Sequence, residues 1–149
     1  MIMKNTLLAV LVITLLPVAL MAACKSSTSL PTASPVAATF FFLIQPAGAT
    51  AGAAFTTQPV VAVLDTYGEN DNSYTGPVTL GITSGSGTRG AVLSGTLTVN
   101  AVDGVASFTD LSINVAGSGY SLTATSGGLA PAVSANFSVA AAPATTAVR

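Results

Sequence analysis

Short runs of aliphatic, aromatic and β-branched residues, separated by clusters of Gly, Asn, Asp and Ser, follow one another from Phe40 almost to the end of the chain. They recur at intervals of roughly 8 to 15 residues, a spacing typical of short strands joined by turns. The runs are FFFLIQP, PVVAVLDTYG, GPVTLGITSGSG, GAVLSGTLTVNAVDG, VASFTDLSI, GYSLTATSGG and AVSANFSVA. This pattern predicts an all-β fold, a β-sandwich of about seven strands.

Large apolar residues alternate with small or hydroxylated ones inside several of these runs. Successive side chains of a strand point to opposite faces, so one set is expected to pack in the core and the other to face water. The VDG triplet at 102–104 predicts a tight hairpin turn. The expected core set comprises Val61, Val63, Val78, Leu80, Ile82, Tyr120, Leu122 and Ala124.

The composition agrees with strands and excludes one class of partner. The chain holds 14 Gly among 149 residues and is rich in Val and Thr, which are all poor residues for a helix interior. Only 6% of the residues are charged, with four basic side chains against five acidic ones. A basic patch that could neutralise a phosphate backbone is therefore not expected, and no nucleic-acid partner is predicted.

The first residues of the chain have the composition of an export signal. Lys4 precedes an apolar run from Leu7 to Leu16, and small residues lead to Cys24, the only cysteine. The segment resembles the lipobox of bacterial lipoproteins, which implies cleavage between Ala23 and Cys24 and acylation of the Cys24 thiol. The alternatives are a plain signal peptide or an uncleaved membrane anchor.

The predicted organisation has four parts. Residues 1–23 are the signal peptide, and residues 24–38, rich in Ser, Thr and Pro, are the lipidated cysteine and a flexible tether. Residues 39–140 are the β-sandwich domain, and residues 141–149 are a small-residue tail. The tail is also compatible with the start of a linker in a longer protein.

The stretch FTDLSINVAGSGYSLTA places a Leu-x-Ile strand shortly before Gly-Tyr-x-Leu. This passage, with the strands around it from about residue 40 to 139, resembles bacterial Ig-like domains of extracellular and cell-surface proteins. The resemblance implies that Tyr120 forms a tyrosine corner, with its hydroxyl bonded to nearby backbone. It also implies that Leu122 and either Val61 or Val63 stand where antibody domains place their disulfide.

The chain offers few groups for catalysis, and we predict that it is not an enzyme and uses no cofactor. It contains no His, the commonest base for activating a nucleophile and the commonest zinc ligand. Catalysis by paired carboxylates requires two acids held across a substrate, and only five acids are present. Asp103 and Asp110 have ordinary interpretations, in a turn and beside a strand.

The most polar stretch, DTYGENDNSYTG at residues 65–76, is the candidate ligand loop. Asp65, Glu69 and Asp71 could ligate Ca²⁺, and Tyr67 and Tyr74 could stack on a sugar. The stretch does not have the EF-hand pattern, because its twelfth position from Asp71 is Ile82. The favoured interpretation is a solvated loop between two strands, with no metal site.

Three functional hypotheses follow from these observations. The first is a non-enzymatic cell-envelope lipoprotein that presents an Ig-like domain for surface structure, adhesion or protein interaction. The second is an accessory module that binds carbohydrate or envelope polymer, and the third is a remnant of a larger multidomain surface protein. We expect a lipid anchor in the cell membrane or outer membrane, with the domain in the periplasm or outside the cell and a protein or polysaccharide as partner. The sequence does not predict an oligomeric state.

Overall fold

The computed structural model describes residues 36–144, which consist of strands, turns and connecting loops without a helix. This confirms the predicted all-β class. In these residues no helix is long and apolar enough to cross a membrane. The twelve strands are β1 (Ala37–Ile44), β2 (Ala49–Thr50), β3 (Val60–Asp65), β4 (Pro77–Ile82), β5 (Leu93–Ser94), β6 (Thr98–Asn100), β7 (Val105–Ser107), β8 (Ser112–Ile113), β9 (Gly117–Tyr120), β10 (Leu122–Thr125), β11 (Ala132–Val133) and β12 (Phe137–Ala140).

The strands form several sheets in a sandwich-like arrangement. One sheet has the order β1-β3-β7 and another the order β11-β10-β4-β6, both antiparallel throughout. A third sheet, β2-β12-β9, contains the parallel pair of β2 and β12, and β5 pairs with β8 by itself. Chain neighbours therefore often lie in different sheets.

The structure has more strands than the seven predicted runs because the last four runs each divide into two strands and the short β2 lies outside every predicted run. The run around Tyr120 is an example: β9 pairs with β12, whereas β10 pairs with β4 and β11. Only Ser121 separates the two strands. Gly119 has a φ of +73°, outside the usual range for a strand residue, and bends the chain there.

The buried side chains form one continuous core between the sheets. All the residues that we predicted to be in the core are buried except Ile82, which is half-buried at the end of β4. The alternation is clearest in β4, where Val78 and Leu80 are buried and Thr79 between them is exposed. The buried core cluster contains Phe40, Phe42, Ala49, Phe55, Val61, Val63, Val78, Leu80, Leu93, Ala101, Ala106, Phe108, Leu111, Ile113, Tyr120, Leu122, Ala124 and Val139.

The expectation that the intervening side chains face water is wrong at two positions. Ala62 is 1% exposed because β3 is the central strand of its sheet and larger neighbours stand on both sides of this small residue. Ser121 is buried because the loop after β4 covers it: the Ser121 amide donates to Ser86 Oγ at 3.2 Å. Neither cause is visible in the local sequence.

The boundaries of the sandwich differ slightly from the predicted ones. β1 begins at Ala37, two residues before the expected start of the domain, and Ala37 pairs with Asp65 of β3. β12 ends at Ala140, and residues 141–144 follow without regular structure. The predicted signal peptide, Cys24 and most of the tether lie outside the described residues, as do residues 145–149.

The VDG triplet forms the predicted tight turn. Val102 and Val105 exchange two backbone hydrogen bonds of 2.9 Å, and Asp103 and Gly104 both have positive φ. This is the geometry that favours Asp-Gly in two-residue turns. The flanking strands belong to different sheets, however, since β6 pairs with β4 and β7 pairs with β3. The turn therefore carries the chain from one sheet to the other.

Candidate ligand loop and the residues around it

The candidate ligand loop leaves β3 at Asp65 and immediately folds back along it. The Asp65 amide donates to the Glu69 carbonyl at 2.8 Å, and the Asp71 amide donates to the Val63 carbonyl at 2.8 Å. Gly68, with a φ of +84°, provides the reversal between them. The loop is therefore tied to the end of β3 by backbone hydrogen bonds.

The carboxylate of Asp65 points inward and holds this reversal together. Its Oδ1 atom accepts hydrogen bonds from the amides of Tyr67 at 2.7 Å and Glu69 at 3.0 Å. Asp65 is buried, so these amides satisfy a charged group that would be costly to bury alone. Asp65 has a structural role in the turn.

Asp71 does the same for the second half of the loop. It is buried, and its Oδ1 atom accepts hydrogen bonds from the Ser73 amide at 3.0 Å and from Ser73 Oγ at 2.5 Å. The Tyr74 amide donates to the Asp71 carbonyl at 3.0 Å and closes the turn. The third acid of the loop, Glu69, is exposed. Asp65 and Asp71 thus accept hydrogen bonds from amides of their own loop, whereas Glu69 faces solvent.

The two tyrosines of the loop do not present a common surface. Tyr67 is 74% exposed, whereas Tyr74 is half-buried against the core. The Tyr74 hydroxyl shares a 2.8 Å hydrogen bond with Ser126 Oγ, which lies after β10. Of the two, only Tyr67 has a ring that is exposed enough to stack on a large ligand.

A contact that the sequence analysis missed fixes the loop against the VDG turn. Asn70 Nδ2 donates to the Asp103 carbonyl at 2.9 Å, and the Gly104 amide donates to the Tyr74 carbonyl at 3.1 Å. A Cβ atom at Gly104 would lie 2.3 Å from the carbonyl oxygen of Asp71, so no larger residue fits without a shift. The sequence signals both turns, but it contains no signal that they touch.

The arrangement of acids offers no preformed metal cage. Within residues 36–144, no three acidic, His or Cys side chains lie together as metal ligands. The geometry instead favours a polar loop held by its own hydrogen bonds, in which Glu69 is the one exposed acid and Tyr67 the one exposed aromatic residue.

Tyr120 takes no part in the candidate ligand loop, because it belongs wholly to the core. It is fully buried, and its hydroxyl donates to the carbonyl of Val115 at 2.8 Å, five residues upstream. Its ring packs against Phe137, with centroids 6.0 Å apart. The Tyr120 hydroxyl therefore ties the end of β9 to the segment just before its start.

A second polar loop, missed as a site by the sequence analysis, lines an open depression of about 530 Å³ between β4 and β5. It is lined by residues 82–91, and its signal in the sequence is the stretch TSGSGTRG. Ser86 Oγ donates to the Thr83 carbonyl at 2.8 Å, and Thr88 Oγ1 donates to the Ala116 carbonyl at 3.1 Å. Arg89, exposed at the rim, is the only basic residue in the described range.

No family model, curated protein or solved structure matches this chain. The structure therefore classifies the protein only by its fold. It is an all-β, sandwich-like domain with an acidic loop at the end of β3. Ala23 and Cys24, the predicted cleavage and lipidation positions, lie outside the described residues.

Proposed function

We propose that this chain is a non-enzymatic lipoprotein of a bacterial cell envelope that presents an Ig-like β-sandwich for surface structure, adhesion or protein interaction. Cys24 carries the proposal. It is the only thiol of the chain, and it directly follows an apolar segment that ends in small residues. The residues described beyond it bury their own core, as a domain displayed on an anchor must.

The strand order supports the Ig-like part of the proposal. In Ig-like sandwiches, strands A, B and E share one sheet and strands C, F and G share the other. The order β1-β3-β7 corresponds to the first, and the order β11-β10-β4 to the second. The parallel pairing of β2 with β12 and the bond from Tyr120 to Val115 are consistent with the same assignment.

The environment of two of the five acids supports a non-enzymatic role. A catalytic carboxylate must reach a substrate, but Asp65 and Asp71 are buried and accept hydrogen bonds from their own loop. The chain also contains no His to act as a general base. Display of a stable surface requires none of these groups.

Intact mass spectrometry of the full chain, expressed in a bacterium and extracted from its membranes, tests the proposal. We expect a polypeptide that begins at Cys24 and carries acyl chains. Cys24→Ala should abolish the acyl mass, and Ser27→Ala, as a matched control, should retain it. A membrane-extracted chain that keeps residues 1–23 without acylation, or a chain found in the cytosol, would contradict the proposal.

Carbohydrate binding is the second candidate, and the exposure of Tyr67 favours it. A 74% exposed aromatic ring is available for stacking on a sugar. Binding of the protein to a polysaccharide array should then be lost in Tyr67→Ala and kept in Tyr67→Phe, which retains the ring. Equal binding by both variants would exclude a stacking role for Tyr67.

A further inference from the structure

The exposed apolar side chains of the sandwich are concentrated on its first strand and the residue just before it. Among the described residues, eight large hydrophobic side chains are exposed, and four of them lie in the nine residues from Val36 to Ile44. We call these four side chains the β1 face: Val36, Phe41, Leu43 and Ile44. Phe41 is 55% and Leu43 54% exposed, which is a large apolar surface for so short a segment.

The register of β1 explains why these side chains point away from the core. Phe40 and Phe42 pair with β3 residues of the inner face and are buried, so Phe41 between them points outward. A register shift between Phe42 and Ile44 interrupts the alternation, and both Leu43 and Ile44 remain exposed. The apolar surface is thus a consequence of strand geometry and of one bulge.

The strand segments beside the β1 face carry little charge, and the one acid among them, Asp65, pairs with Ala37 and is buried. The sequence has no charged residue between Lys25 and Asp65, a range that includes β1 and nearly all of its partner strand β3. The segment along the other side of β1, residues 130–135, is also uncharged. Covering the β1 face with an apolar phase therefore does not require the desolvation of a neighbouring charge on these segments.

The free edge of β1 is partly occupied, which disfavours addition of a strand from a second copy. The Ala130 amide donates to the Ala38 carbonyl at 3.1 Å, and the Ala135 amide donates to Gln45 Oε1 at 2.9 Å. These contacts lie at the two ends of the strand. A partner is therefore expected to cover the face of β1 rather than extend its sheet.

The chain preceding β1 indicates which partner is near. If Cys24 is the lipid anchor, a condition that rests on the proposed function, Val36 follows it by twelve residues. Even fully extended, twelve residues span no more than about 43 Å, so the domain never moves far from the lipid surface. We propose that the β1 face docks on this lipid surface, with Phe41, Leu43 and Ile44 in the apolar part of the interface.

Fluorescence of the acylated full chain in phosphatidylethanolamine/phosphatidylglycerol vesicles tests the proposal. An environment-sensitive thiol label is placed at Leu43→Cys, and at Asn100→Cys on β6 as an exposed control on another sheet. Mass spectrometry first establishes that Cys24 is acylated, so a missing anchor is recognised separately. We expect the label at position 43, but not at position 100, to shift to shorter wavelength and to be quenched by brominated lipids.

A charge on the face provides the decisive variant. Phe41→Asp should abolish the shift of the label at position 43, whereas Val102→Asp, at an exposed apolar residue of the VDG turn, should leave it unchanged. Thermal unfolding of each variant establishes that it is folded. Identical emission from the labels at positions 43 and 100 in the acylated protein would overturn the proposal. The proposal would also be overturned if the label at position 43 shifted without being quenched by brominated lipids and if this shift grew with protein density in the membrane. That result would identify a second copy as the partner.

Discussion

Gly87 packs its backbone directly on the ring of Tyr120, so closely that a Cβ atom at Gly87 would lie 2.1 Å from Tyr120 Cδ1. Gly87 also has a φ of +67°, a conformation that L-residues with side chains rarely adopt. Because Tyr120 is fully buried, its ring has no space into which to move. This contact fixes the loop after β4 to the core.

Gly87→Ala is therefore expected to lower the free energy of unfolding by more than about 2 kcal/mol, the sum of overpacking and of backbone strain. Urea denaturation followed by circular dichroism measures the change. Gly85→Ala is the matched control, because Gly85 has a φ of +79° but a Cβ atom there would meet no heavy atom within 4 Å. It should cost only about 1 kcal/mol. Equal losses in the two variants would show that the contact with Tyr120 contributes nothing.

Removal of the Tyr120 hydroxyl is expected to destabilise the sandwich. Tyr120→Phe keeps the ring in the core but leaves the carbonyl of Val115 without its 2.8 Å hydrogen bond. The expected loss is about 1–2 kcal/mol in the free energy of unfolding. Thermal denaturation compares it with Tyr67→Phe, which alters an exposed side chain and should have no measurable effect. If Tyr120→Phe were as stable as the parent, the hydroxyl of Tyr120 would not stabilise the sandwich.

The carboxylate of Asp65 is expected to stabilise its loop through the hydrogen bonds that it accepts from two backbone amides. Asp65→Ala should lower the free energy of unfolding by about 1–3 kcal/mol, and Asp65→Asn by less, because the amide oxygen still accepts from Tyr67 and Glu69. Glu69→Gln is the control for a change of charge in the same loop at an exposed position. Chemical denaturation of the three variants measures the difference.

The same variants address calcium. If Asp65 and Asp71 serve their own turns, millimolar Ca²⁺ should not raise the melting temperature of the protein. A rise in melting temperature that is lost in Asp65→Asn would contradict this role and support a calcium site in the loop.

Asp110 is expected to contribute stability that depends on pH. Hydrogen bonds from the Thr96 amide at 2.9 Å and from Thr96 Oγ1 at 2.9 Å lower the pKa of Asp110 below its ordinary value of 3.8. A carboxyl group whose pKa is lower in the folded state binds fewer protons there than in the unfolded chain. Its contribution is therefore complete well above pH 3.8 and is lost as the pH falls through the lowered pKa.

Melting temperatures of the parent and of Asp110→Asn, measured from pH 7 down to pH 2, test this expectation. The parent should be the more stable protein at neutral pH, and the gap should close in the acid range. Because Asp110 is exposed, the gap is expected to be small. A gap that stays constant over the whole range would show that the charge of Asp110 does not interact with Thr96.

The sequence predicted the features of the candidate loop that depend on neighbouring residues, but not the direction in which its acids point. Turn-forming residues indicated a loop after Asp65, and the structure has one there. The inward orientation of Asp65 and Asp71 depends on backbone amides two to four residues away, in a conformation that the composition does not specify. Tyr74 differs even more, since its hydroxyl partner Ser126 is 52 residues further along the chain.

By itself, the sequence determined that the chain from about residue 39 forms strands, which residues of β4 face the core, and that Asp103 and Gly104 make a tight turn. These are consequences of local rules, namely the two-residue period of a strand and the freedom of Gly at positive φ. Only the tertiary structure decided which strands share a sheet, that Ala62 is buried and that Phe41 and Leu43 remain exposed. The reason is that these properties depend on contacts between residues distant in sequence. The strand period is a local property, whereas the free energy of packing depends on all the strands together.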